Sequence, residues 1–410
     1  MLQEPPEGTY QTVNIMVGNA RWWEPKVRTE IIQTMAGAAI LSAVTYVPIL
    51  AENNLGGDDI YVAFLVGMYA LASFFSSYIF GRAGDIYGRR IVLRIGILFS
   101  LLTFGLLVLS NSLIMLFFVR LLNGFCIGIY PGALTAYAYE SNMRMGKFAS
   151  FGALGWGIGT AVAGYAAVFN IYYAFVISAA FFVFAFVSAF TLPKIQVTSI
   201  KVPLFPVQTF KRNYPVYLSV LIRHSSAIAV WTYWPLILLN LGADVFTVGL
   251  IQTTNSFVQV IFMWGLTDRF DCSKLVATGL IGSAGTFLWI GLAQTIWEMY
   301  LAQIVVGFAW SCLYVGALKY VTERNIERAT ASGLLQSILS VAGVIGPIIA
   351  AIIFALGGNY YTVIYFAAAM ALLSFVIFLF TNRNVECVAL EREPIEIIVD
   401  SEADIDGDWT

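Results

Sequence analysis

The sequence predicts an all-α polytopic membrane protein, with twelve transmembrane helices arranged as two pseudo-symmetric six-helix bundles. Three observations carry that prediction. Of the 410 residues, 59% are hydrophobic and only 11% are charged, whereas a soluble domain carries about 25% charged residues. Apolar runs of about 20 residues, long enough to cross a hydrocarbon core of roughly 30 Å as helix, recur along almost the whole chain and leave no soluble domain over. Glycine-rich and charged punctuation also recurs at matching places in the two halves.

The spans fall at approximately residues 30–51, 60–81, 91–110, 113–137, 149–169 and 171–192, then 213–240, 244–266, 274–295, 297–320, 330–357 and 360–382. Residues 1–29 read as a cytoplasmic N-terminal tail. That stretch is polar and lacks the short apolar core and small-residue cleavage site of a signal peptide. The first bundle covers 30–192 and the second 213–382; a polar central cytoplasmic loop, 193–212, with Pro193, Pro203 and Pro206, separates them. Residues 383–410 read as an acidic, disordered cytoplasmic tail, because nine acids between Glu386 and Asp408 face only Arg392 and few aromatics accompany them. The formal charge of −2 belongs to that tail, since residues 1–382 alone are net positive. Cys126, Cys272, Cys312 and Cys387 show no C-x-x-C pairing and read as free thiols.

Basic residues near span ends accumulate on the cytoplasmic side, which tests the topology independently. With the N-terminus inside, Arg82, Arg89, Arg90, Arg144, Lys147, Arg269, Lys319, Arg324 and Arg328 all fall inside, and the outer loops hold no basic residue. Both termini are therefore placed in the cytoplasm and the chain in the cell membrane. Arg94, Arg120 and Arg223 remain within spans.

Between the second and third runs lies GRAGDIYGRR, Gly81 to Arg90. It crowds three glycines, an acid and three arginines into a turn expected to sit in water beside helix ends. It resembles the signature loop G-x-L-x-D-R-x-G-R-R of the major facilitator superfamily: Gly81, Asp85, Gly88, Arg89 and Arg90 match, while Ala83 replaces Leu and Ile86 replaces Arg. The stretch WGLTDRFDCSK, from Trp264, repeats the loop in worn form, with Asp268 at the acid position and Arg269 restoring the base that Ile86 lacks. Glu140, Arg144 and Lys147 after span four are echoed by Glu323, Arg324 and Arg328 after span ten. Parallel six-helix repeats are the organisation of that superfamily. The resemblance implies that Asp85, with Arg89, caps the positive N-terminal end of span eleven, where Thr330 and Ser332 are capping residues. Such a contact exists only when the cytoplasmic side is closed, so Asp85, Arg89, Glu140 and their loop partners are expected to act as a conformational latch. Span five, with Gly152, Gly155, Gly157, Gly159 and Gly164, resembles the motif of drug-exporting antiporters. Thr160 replaces its proline and Ala163 one terminal glycine, which weakens a drug-antiport reading. Close packing and a hinge are both open to those glycines.

A charge seven residues into span four is expensive in lipid, so Arg120 is expected to face a cavity with a task. Asn123, one turn on, joins it, and Arg120 with Gly124 resembles the superfamily's span-four motif. In span seven, Arg223 precedes His224, the only histidine. Arg223, Ala227, Val230, Trp231 and Trp234 share one helical face. Span eight presents Gln252, Asn255, Ser256 and Gln259, and span ten Gln303, Gly307, Trp310, Ser311 and Tyr314. Thr45 and Tyr46 are the span-one candidates, since spans one, four, seven and ten line the cavity in the superfamily.

No span holds a deep Asp or Glu. Coupling therefore has three routes: a proton carried on His224, the solute gradient alone, or a solute that brings its own proton. Two buried arginines without a facing acid favour an anionic small-molecule solute. Export of amphipathic, drug-like compounds is the alternative, and a transport-inactive membrane sensor is the rival from another class. No H-E-x-x-H, nucleophile elbow or grouped histidines suggest an enzyme, cofactor or metal, and no basic patch suggests nucleic acid. The expected assembly is a monomer in the lipid bilayer.

Overall fold

The computed structural model describes residues 24–57, 59–167, 169–195, 203–243, 245–265, 267–383 and 397–398. Twelve long helical segments follow one another in it. In the first half these are α1 (Pro25–Val44), α2 (Asp59–Tyr87), α3 (Arg89–Gly105), α4a (Leu113–Ile129) continued by α4b (Pro131–Glu140), α5 (Met145–Ala167) and α6 (Ile171–Phe190). The second half holds α7 (Val207–Asn240), α8 (Val245–Gly265), α9 (Cys272–Leu292), α10 (Ile296–Glu323), α11 (Arg328–Ala355) and α12 (Tyr360–Thr381). Among the described residues, eight of these are long and apolar enough to cross a membrane unaided. The other four, α1, α5, α7 and α8, complete the bundles.

Proline and glycine set most of the breaks. Pro25 opens α1 at the first helical position, where a missing N–H costs nothing, so residues 25–29 are helix and not tail. A proline inside a helix removes a hydrogen bond and clashes with the preceding turn; α4 accordingly breaks at Tyr130, just before Pro131. The helix α7 starts at Val207, so 207–212 of the expected central loop are helical. The largest revision is in α2, which runs through Gly81–Tyr87 and stops only at Gly88. What reads as a solvated loop is the last two turns of a helix, held by its packing on α11. One further feature is a two-residue antiparallel pair, Lys194–Ile195 with Ile397–Ile398, the latter within the stretch read as a disordered tail. The remaining tail positions, 196–202, Asp58 and Asp244 lie outside the described residues. Cys272 is disulfide-bonded, correcting the expectation of four free thiols; Cys126 and Cys312 are free and buried.

Packing obeys a pseudo-twofold relation. In the first half α1 packs on α5 and α6, α2 on α4a, and α3 on α4a and α6. Six helices on, α7 packs on α11 and α12, α8 on α10, and α9 on α10 and α12. The halves meet through α2 against α11 and α5 against α8, again a matched pair. Within the first half, Gly155 and Gly159 serve the contact of α5 with α1, since a Cβ added at either would collide with the carbonyls of Thr34 and Ala38. Ser42 Oγ also donates to the Gly159 carbonyl at 3.1 Å. Close approach accounts for glycine at these two positions.

Arg94, left unassigned by its sequence, closes the end of α6. Its Nε donates to the Ala189 carbonyl at 3.1 Å, its Nη2 to those of Phe190 and Leu192, and its Cζ lies 5.0 Å from the Phe190 ring centre. The last carbonyls of a helix lack internal partners, and a cation there is favoured. Arg94→Ala is expected to cost about 1–3 kcal/mol, the scale of charged hydrogen bonds lost from such carbonyls. Thermal unfolding in detergent should show a lowered midpoint, with Arg94→Lys intermediate; an unchanged midpoint for Arg94→Ala would discount the contact.

Candidate functional site: a gated pathway between the halves

At the end of the bundle that carries the Gly81–Arg90 stretch, the first turn of α11 presents N–H groups with no partner in its own helix. Asp85, in the last turn of α2, accepts them. Thr330 N donates to its Oδ2 at 2.7 Å, Thr330 Oγ1 to the same oxygen at 2.6 Å, and Ala329 N to its Oδ1 at 3.3 Å. One turn on, Arg89 Nη2 stands 2.9 Å from Asp85 Oδ1 and 2.8 Å from Glu140 Oε1. Glu140, the last residue of α4b, reaches Arg328 Nη1 at 3.8 Å. Two acids and two guanidiniums thus alternate, joining α2, α3 and α4b of the first half to the start of α11. Asp85 is 1% exposed and Arg89 and Glu140 are 4% exposed, so the cluster is not in water as expected of a loop. Little screening reaches such pairs, and losing one partner is far costlier than at a surface. Gly88 makes the corner possible: its φ of +97° is open to glycine and strained for other residues. That corner brings Arg89, the first residue of α3, back onto Asp85. Arg90, next to it, is half-buried. Thr330 and Ser332 lie inside α11, whose N-cap is Glu327 with no side-chain cap bond, so neither caps it; the Asp85 carboxylate takes that place.

The second loop is not a copy. Thr267–Arg269 forms a single 3-10 turn packed against α5, α8 and α10, the pseudo-symmetric position. The Asp268 side chain lies outside the described residues and Arg269 is exposed. Asp271 caps its own helix instead, accepting from Ser273 N at 2.9 Å and Lys274 N at 3.3 Å.

From the Asp85 cluster a seam of small residues runs up the interface of α2 and α11. A Cβ built on Gly84 would lie 2.9 Å from Ala329 Cβ, and one on Gly81 2.8 Å from Gly333 Cα. Ser77 Oγ and Ser337 Oγ are 2.8 Å apart, Ser73 Oγ and Ser340 Oγ 3.1 Å. A Cβ on Gly343 would meet Ala70 Cβ at 3.5 Å. Each step is three or four residues on both helices, in opposite directions, which keeps one face of each in register. At 1.5 Å per residue the seam is roughly 20 Å long.

Beyond the seam lie the buried polar residues. Arg120 is 1% exposed, and its Cζ lies 4.1 Å from the Tyr69 ring centre on α2. Its Nε and Nη1 have no protein partner, nor do both ends of the Asn123 amide. Arg223 donates from Nε to Ser283 Oγ of α9 at 2.9 Å and lies over Trp310 at 5.1 Å and Phe287 at 5.7 Å. His224 stacks on Trp310, with ring centres 5.0 Å apart, and Trp310 on Tyr314 at 5.4 Å. The structure therefore brings Arg223, His224, Trp310 and Tyr314 together.

Other sequence candidates are placed differently. Trp231 and Trp234 pair at 5.1 Å, and Trp231 lies 6.0 Å from Phe287; Trp234 is buried in the core of the second bundle. Asn255 Nδ2 donates to the Gln303 carbonyl at 3.3 Å, and Gln259 Nε2 donates to Asn255 Oδ1. This polar stripe ties α8 to α10, leaving Gln259 Oε1 and Gln303 Nε2 without a protein partner. Ser311 bonds within its own helix, to the Gly307 carbonyl. Tyr46 is half-buried, its hydroxyl 2.7 Å from where a Cβ on Gly164 would stand, and Thr45 is exposed. The Gln252 side chain lies outside the described residues.

Two matched six-helix halves, joined at one end by a buried charge cluster and holding buried arginines with no ion pair among the described residues, define a two-bundle membrane transporter. The chain belongs to the Major Facilitator Superfamily, whose profile matches residues 31–215 and again 216–394. Multidrug resistance protein 1 of Bacillus subtilis (strain 168) is 24% identical over 351 residues, covering 81% of this chain and 90% of that protein. The tetracycline resistance protein, class D, of Salmonella ordonez is 24% identical over 356 residues, covering 81% and 90%. The multi-drug resistance efflux pump PmrA of Streptococcus pneumoniae serotype 4 (strain ATCC BAA-334 / TIGR4) is 25% identical over 349 residues, covering 76% and 85%. Among solved structures, the human organic anion transporter MFSD10 (TETRAN) shares the fold with a TM-score of 0.74 at 15% identity, covering 87% of this chain and 99% of that one.

Proposed function

We propose that this transporter moves a small organic anion across the cell membrane by alternating access, as a monomer with both termini in the cytoplasm. On this reading the Asp85 cluster and the α2–α11 seam shut the cytoplasmic end, and the halves part there to release or accept solute. The observation that carries the anion reading is Arg120: a buried guanidinium with two N–H-bearing nitrogens unpaired and no recorded ion pair among the described residues. A charge inside a span is expensive and marks a solute or ion path by default. A carboxylate or phosphate suits it, since the planar fork binds such groups through two parallel hydrogen bonds.

Counterflow into proteoliposomes, screened across carboxylates, sugars, amino acids and dyes with and without an imposed pH gradient, tests the reading. Arg120→Lys is expected to lower anion counterflow about tenfold or more, because a lysine keeps the charge but loses the fork; Arg223→Lys should act in the same direction. Anion transport untouched in both variants sinks the anion reading. The names of the relatives favour a second one, efflux of amphipathic compounds, and in that case dyes and not small carboxylates exchange. Stimulation by the pH gradient that His224→Gln abolishes would identify a proton carried on His224; stimulation that survives the change would make the solute itself the proton's carrier. Solute binding without counterflow would identify a sensor.

A further inference from the structure

Three rings from two helices form a short ladder in the second bundle. His224 of α7 lies against Trp310 of α10 with 20° between planes, and Trp310 against Tyr314 with 16°. All three are only partly buried, unlike the core aromatics Phe287 and Tyr320, which are 0% exposed. Nearly parallel, offset stacking of three rings is an arrangement that a further flat ring extends without rearrangement, and each such contact adds attraction beyond the area it buries. A cation lies against the ladder. Arg223 Cζ is over the Trp310 ring, 5.1 Å from its centre, its Nε is fixed by Ser283, and no carboxylate among the described residues is paired with it. His224 Nδ1 has no protein partner. Core packing alone explains a fully buried ring pair; it does not explain a stack left partly open beside a guanidinium that no carboxylate among the described residues neutralises.

We propose that this ladder is the solute's specificity site and that it selects planar aromatic anions: the ligand ring continues the stack, and its acidic group lies toward the Arg223 guanidinium. The inference rests on the organic-anion reading above and narrows it to a class, aromatic over aliphatic. Fixing Arg223 through Ser283 keeps the charge beside the ladder, so a neutral arene loses the ionic contact and a saturated acid loses the stacking.

Equilibrium binding to the purified full-length transporter in nanodiscs, with 2-naphthoate, decahydro-2-naphthoate and 2-naphthylmethanol as probes, separates the contributions. Naphthoate is expected to bind roughly three- to tenfold more tightly than its saturated counterpart, the scale of one aromatic stacking contact, and more tightly than the alcohol. Tyr314→Leu should narrow the first ratio, while Tyr314→Phe, which keeps the ring, should retain most of it. Equal binding of the two acids overturns the ladder proposal and leaves the organic-anion reading standing. Equal binding of naphthoate and the alcohol overturns the role of Arg223. If neither acid binds while dyes do, the broader anion reading fails with it. The comparison within the unmodified protein decides the matter even where a variant does not fold.

Discussion

Asp85→Asn is expected to loosen the closed end of the transporter more than any other single conservative change. The substitution removes the charge that faces Arg89 at 2.9 Å and puts an amide NH₂ or a weaker oxygen against the Thr330 and Ala329 N–H groups. Removing one partner of a buried ion pair costs about 3–5 kcal/mol. Arg89 keeps Glu140 at 2.8 Å, so part of that loss is recovered and about 2–4 kcal/mol is the expected shift against the closed state. With tenfold per 1.4 kcal/mol, the closed-to-open ratio falls roughly thirty- to several-hundred-fold. Maleimide labelling of single cysteines placed along the seam, such as Ser73→Cys, reads this as faster modification. Labelling as slow as in the parent would mean that Asp85 does not hold this end. Glu140→Gln should give the same direction with a smaller effect, since Glu140 bonds to no backbone donor of α11.

The second large effect is expected at Gly333→Val. A Cβ there would lie 2.6 Å from Gly81 Cα and 2.7 Å from the Ser77 carbonyl, and both are backbone, so nothing flexible can move aside. Overpacking a tight contact costs typically about 1–3 kcal/mol and occasionally more, and here the strain is relieved only by parting α2 from α11. Ser77→Cys with Ser337→Cys, in place of hydroxyls 2.8 Å apart, should cross-link readily on oxidation. Adding Gly333→Val should abolish that cross-link and lower counterflow by about tenfold or more. Gly67→Val, on the facing helix α2, is the matched control, because a Cβ there meets nothing within 4 Å. Full cross-linking in the Gly333→Val background would show that the seam tolerates bulk and is not a closure surface.

Local pattern carried the architecture, and distance along the chain limited the rest. The recurrence of apolar runs and the placement of arginines gave twelve helices, because span length and the cost of a charge in lipid are local properties. The resemblance of the Asp85, Gly88 and Arg89 stretch to the superfamily's signature loop implied the start of α11, which Asp85 does meet at Thr330. Helicity through Gly81–Tyr87 was not legible, since glycines and charges discourage helix unless a partner such as Gly333 needs them close. Arg328 as the outer end of the charge chain was missed; its position five residues after Glu323, in the counterpart of the Glu140 segment, was the available signal. Periodicity also fixed which residues share a face but not which neighbour that face meets. Arg223, Trp231 and Trp234 share a helical face by spacing, yet Arg223 turns to Ser283 on α9 and Trp234 lies in the core of the second bundle. Asn255 and Gln259 share a stripe that bonds to α10. Arg94 has its carbonyl partners about a hundred residues away in sequence, and no local pattern announces them. The repeat of the signature stretch predicted an acid at Asp268, while Asp271 makes the described cap.

The two halves are expected to rock as units, one end closing as the other opens. Spin-label distances in nanodiscs test it most directly, between Tyr87 and Ile326 at the Asp85 end and between Ile114 and Leu356 at the opposite end. These four side chains are 68%, 58%, 73% and 83% exposed, so labels on them disturb little packing. With Asp85→Asn as the perturbation, the first distance should lengthen and the second shorten in the same sample. Lengthening of the first with the second unchanged would contradict rigid-body rocking, and no change in either would contradict the latch as well.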